Sequence, residues 1–93
     1  IDVISPYSNE VVTQYVKSDL DEVKEVFERA RLGFHDTKKS PLHQRINWLE
    51  DVANRLEENK EYFALLITKE VAKPISQSRV EVQRAVENIR LVA

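Results

Sequence analysis

The sequence predicts a mainly α-helical chain behind an N-terminal β-hairpin. Three observations carry this. The first sixteen residues are β-branched and aromatic around a Pro-Ser-Asn turn. Apolar residues then recur at helical spacing in four successive stretches. Start and stop residues separate those stretches at short intervals.

Ile1–Ile4 and Val11–Val16 flank Ser5-Pro6-Tyr7-Ser8-Asn9-Glu10, which reads as strand, turn, strand over residues 1–16. A helix is expected over 18–35. Ser18 is suited to the N-cap, with Asp21 three residues on as an acidic variant of the capping box. Leu20, Val23, Phe27, Ala30 and Phe34 make its apolar face, and Gly33 with His35-Asp36-Thr37 should end it. A second helix is expected over 41–58. Ser40 can cap it, and Pro41 loses no hydrogen bond at a first helical position. Leu42, Ile46, Leu49, Val52, Ala53 and Leu56 form its stripe. Asn59 should cap a third helix over 59–72, closed by Lys73-Pro74, because the residue before proline avoids the α region. The fourth helix, 74–93, is expected to bury Val82, Ala85, Val86, Ile89, Val92 and Ala93 and is still in phase at Ala93. There is no methionine at position 1 or elsewhere. Both features lead to the expectation of a fragment, read as a single segment over 1–93.

Composition excludes several chemistries. There is no cysteine, hence no disulfide, thiolate metal site or cysteine nucleophile on these residues. The single glycine excludes phosphate-cradling loops, which need several. Fourteen basic and sixteen acidic side chains are interleaved, so nucleic-acid binding lacks its main driving force. Lys38-Lys39 is the longest basic patch and reads as a solvated loop. Phe63–Ile67 is too short a run to cross a membrane. The lack of cysteine fits a cytoplasmic setting.

Individual site candidates are mostly ordinary. His35, Asp36 and His43 are metal-capable residues, but without a ligand spacing that closes a site. Asp19-Asp21 and Glu57-Glu58 read as solvated carboxylates rather than an acid–base pair. The serines suit caps and turns. Glu81 lies between Val80 and Val82, close enough to the apolar side to be partly buried, and Arg84 is a partner at helix spacing. Lys73-Pro74 makes a fixed corner with a cation at the end of the third helix.

Five segments, in order, resemble the N-terminal part of the aldehyde dehydrogenase superfamily. Ser5-Pro6-Tyr7-Ser8-Asn9-Glu10-Val11 is similar to its Asn-Pro-x-Thr-Gly-Glu-Val hairpin. Asp21-x-Val23 through Ala30 and Phe34, and Pro41-x-x-x-Arg45 with Leu49 and Ala53, resemble its first two helices. Glu70-Val71-Ala72-Lys73-Pro74 stands at its Glu-(Thr/Ser)-Gly-Lys-Pro corner, and Arg79-x-Glu81-Val82-x-Arg84-Ala85 resembles the next helix. The departures are Ser5 for Asn, Asn9 for Gly and Val71-Ala72 for Thr/Ser-Gly. Asn9 tolerates the left-handed conformation of a turn glycine, whereas Ala72 tolerates it less well, so the corner is the place to expect a different conformation.

The resemblance implies a parent enzyme with a Rossmann-like cofactor domain. Such an enzyme oxidises an aldehyde to a carboxylic acid with NAD or NADP, through a cysteine nucleophile and a glutamate base. It implies no catalytic and no cofactor-binding residue in this stretch, which would be the N-terminal part of the cofactor-binding domain and serve as its scaffold. It implies, in some members, a structural monovalent cation; by position that site would use the carbonyls of Val3 or Ile4 and the Glu81 carboxylate. The expected partners are the remainder of the parent enzyme, its aldehyde and, for the parent, further copies of itself. Neither nucleic acid nor membrane is expected. Apolar stripes left uncovered should make the segment self-associate. The rival reading is a stand-alone helical interaction module without catalytic activity.

Overall fold

A computed structural model describes all residues, 1–93. The order is β1 (Asp2–Ile4), β2 (Val11–Gln14), α1 (Leu20–Lys39), α2 (Leu42–Glu58), α3 (Lys60–Val71) and α4 (Ile75–Val92). β1 and β2 form an antiparallel pair, with Asp2 opposite Gln14, Val3 opposite Thr13 and Ile4 opposite Val11. A register irregularity falls between Val3 and Ile4. The turn closes through Ser5. Its N–H donates to the Glu10 carbonyl, its carbonyl accepts from Asn9 N–H, and its hydroxyl oxygen accepts from the N–H groups of Tyr7 and Ser8. Asn9 takes a left-handed φ of 58°, which its short polar side chain tolerates.

α1 starts one residue later than its serine signal indicated. Asp19, not Ser18, is the N-cap: one Oδ1 accepts from the N–H groups of Asp21 and Glu22, both at 2.9 Å. Glu22 returns the contact by accepting from Asp19 N–H at 3.1 Å, completing the reciprocal box. A carboxylate outcompetes a hydroxyl here because its full charge faces the positive helix end.

The expected end near Gly33 and His35 is also corrected. Gly33 has no positive φ, and the helix runs through it to Lys39. A lone glycine costs a helix only about 1 kcal/mol, which does not stop one continued by good helix formers. Ser40 then closes α1, its hydroxyl donating to the Asp36 carbonyl. It caps the end of α1 rather than the start of α2. Pro41 stands one position earlier than expected, its carbonyl accepting the first bonds of α2 from Gln44 and Arg45. Asn59 stands at the N-cap of α3 as expected, its carbonyl accepting from Phe63 N–H, but its side chain makes no cap bond and donates back to the Arg55 carbonyl at 2.8 Å.

α4 is the shared wall of the fold. It packs along both α2 and α3, while α2 and α3 touch each other little. Ala53 of α2, Ala64 of α3 and Val82 and Val86 of α4 form the apolar core. Alanines at the contacts let the helices approach closely. Ser78 is fully buried among them and hydrogen-bonds Thr68 Oγ1 at 2.9 Å, so no polar group is stranded. Two ion pairs strap the outside. Arg79 donates two ways to Glu61 of α3 at 3.0 to 3.1 Å. Arg90 reaches back to α2, to Glu57 at 2.6 Å and Asn54 at 3.0 Å.

α1 shares none of this. It has no buried residue, and Leu20, Phe27 and Phe34 are 78, 71 and 60 % exposed. The molecule measures 47 × 35 × 15 Å, little more than one helix thick. Its accessible surface of 7744 Å² exceeds by about 2,100 Å² what a compact chain of this mass would expose.

Two predictions follow from this architecture. The guanidinium of Arg90 lowers the Glu57 carboxyl below its ordinary range, first by its hydrogen bond and then by its charge. The hydrogen bond from Arg79 does the same to Glu61. A lowered folded-state pKa adds stability above the unfolded value, and that stability is lost as the pH falls through the folded one. Urea midpoints should therefore drop as the pH goes below about 4.3, less steeply in high salt. Replacing Glu57 and Glu61 with Gln should flatten that part of the profile. Second, Ala72 sits in the left-handed region at φ 55°, a strained place for a residue with a Cβ. Ala72→Gly should stabilise the chain by about 0.5–1 kcal/mol in equilibrium denaturation.

Candidate functional site

The residues with the most specific arrangement surround the corner between α3 and α4. Val71 ends α3, Ala72 turns left-handed, and Pro74 starts α4 by accepting from the N–H groups of Gln77 and Ser78. The corner therefore forms at alanine in the same left-handed manner a glycine would use, contrary to the different conformation expected there. The part-buried Thr68–Ser78 hydrogen bond joins α3 to α4 on either side of this strained residue.

Lys73 leaves this corner and donates to Glu81 Oε2 at 2.5 Å. Glu81 is half exposed rather than drawn into the apolar side, and its partner is Lys73, not Arg84. The helix phase explains both. Val82 and Val86 point at the core, which turns Glu81 towards the rim, where the end of α3 brings the ammonium. Sequence spacing favoured Arg84 because it sees only neighbours on one helix, and the contact with Lys73 exists only once the corner is folded. Arg84 lies on the outer side of α4, in open grooves of about 530 and 400 Å³ shared with Val80.

The hairpin turn lies over the same corner. Ser5, Tyr7 and Ser8 line a shallow groove of about 360 Å³ with Thr68, Lys69, Ala72, Lys73 and Pro74. Ser5 is buried there. Its signal in the sequence was the turn itself; nothing in the spacing pointed to the helix corner, whose first residue, Thr68, is 63 positions further along the chain. Val3 and Ile4 lie in β1, paired with Thr13 and Val11.

The remaining candidates are dispersed. His35 is exposed near the end of α1, with its ring edge-on to Phe34 at 6.0 Å. His43 is exposed in the first turn of α2. No three metal-capable side chains come together. Asp19 and Asp21 serve the start of α1, Asp21 also accepting from Lys24 at 3.1 Å. Glu57 is engaged with Arg90. Lys38 and Lys39 belong to the last turn of α1 rather than to a loop, where they complement the negative helix end. Gly33, the one glycine, is inside α1, so no backbone cradle for a dinucleotide phosphate is formed by these residues. No helix is long and apolar enough to cross a membrane.

Comparison with known proteins places this arrangement. The pattern of the aldehyde dehydrogenase family matches residues 1–93. Lactaldehyde dehydrogenase of Methanocaldococcus jannaschii is 36% identical over all 93 residues, which cover 20% of that protein. Malonate-semialdehyde dehydrogenase 1 of Shouchella clausii is 34% identical over 99% of the chain and 19% of its own length. Among solved structures, glyceraldehyde-3-phosphate dehydrogenase GapN of Methanocaldococcus jannaschii, complexed with NADP, superposes with a TM-score of 0.93 at 35% identity. That match covers 98% of this chain and 20% of the other. The chain thus spans about a fifth of the length of the relatives it matches. From the hairpin through the last turn of α4, the chain belongs to the aldehyde dehydrogenase family.

Proposed function

We propose that these residues are the N-terminal scaffold of an NAD(P)-dependent aldehyde dehydrogenase, which oxidises an aldehyde to a carboxylic acid. The observation that carries this reading is the superposition of 98% of the chain, at a TM-score of 0.93, on one fifth of an NADP-complexed glyceraldehyde-3-phosphate dehydrogenase. In this reading the chemistry resides in the remaining polypeptide. The chain has no cysteine to attack an aldehyde carbonyl and no glycine loop fit for a dinucleotide. Its own part is mechanical. α4, clamped between α2 and α3, is a rigid wall, and the hairpin turn rests on the α3–α4 corner. The remainder of the cofactor-binding domain would pack against the faces left open, in a cytoplasmic enzyme assembled from several copies. A stand-alone interaction module is the second reading, favoured by the uncovered face of α1.

The test is the product of the complete reading frame. With an aldehyde and NAD or NADP it should generate NAD(P)H absorbance and the acid, while the 93-residue chain alone should generate neither. A complete product without aldehyde-dependent reduction would remove the enzymatic reading and leave the interaction module.

The monovalent cation implied by the resemblance is proposed on the same footing. It would sit between a carbonyl of Val3 or Ile4 and Glu81, and would compete with the Lys73 ammonium for that carboxylate. In the complete enzyme, sodium or potassium should raise the melting temperature above that in an equal concentration of N-methylglucamine. Glu81→Gln should abolish the difference. Equal melting in all three salts would leave Glu81 to Lys73 alone.

A further inference from the structure

We draw no further inference here: the strongest candidate, the groove where the hairpin turn at Ser5 and Ser8 meets Lys69 and Lys73 of the α3–α4 corner, carries nothing because nothing in the structure shows what covers it in relatives about five times longer.

Discussion

Everything in this chain depends on α4 having neighbours on two sides. It is the one helix that packs against two others, and the buried apolar side chains are few and small. Val82 and Val86 point inward, and the alanines Ala53 and Ala64 meet them. So small a core is a thin source of hydrophobic stabilisation for 93 residues. The ion pairs of Arg79 and Arg90 and the Thr68–Ser78 bond add geometric definition more than strength, because exposed pairs contribute little each. The outcome is a layer 15 Å thin, whose faces present apolar side chains in numbers a closed domain would not tolerate.

The same thinness connects fold to family. A layer of helices behind a hairpin is half of a packing arrangement, and two-layer packing is the rule for stable domains. The relatives supply a polypeptide about five times longer, in which a second layer can exist. The strained Ala72 fits this view. A left-handed alanine is maintained where the corner must keep its shape for what rests on it, here the hairpin turn with its buried Ser5. Lys73 and Glu81 then lock the corner to the first turns of α4.

Much of this was legible in the residues. Local signals placed the hairpin and all four helices, because turn residues, β-branched flanks and helical periodicity act over a few positions. Ends were less legible. Ser18 and Asp19 are both good caps, and the choice rests on the charge of the Asp19 carboxylate together with the reach of Glu22 back to its N–H, which is a matter of side-chain geometry. Gly33 looked like a stop because glycine weakens a helix, yet only Ser40-Pro41 ends it. The partner of Glu81 was illegible for a different reason. Arg84 is near in sequence, while Lys73 is near only in space, and pairing across a corner leaves no periodic trace. Periodicity also showed that α1 has an apolar face without showing that nothing in the chain covers it. A stripe in a sequence states a need for burial, not where the burial comes from.

Hydrogen exchange in dilute solution measures that need most directly, by comparing amides along Val23–Phe34 with those along Val82–Val86. A helix packed on two sides should open only with the whole layer, whereas an uncovered one should open alone. The account predicts slow exchange in α4 and exchange in α1 faster by orders of magnitude, with α1 gaining protection only when another surface covers it. Equal protection of both helices in the dilute 93-residue chain would contradict it.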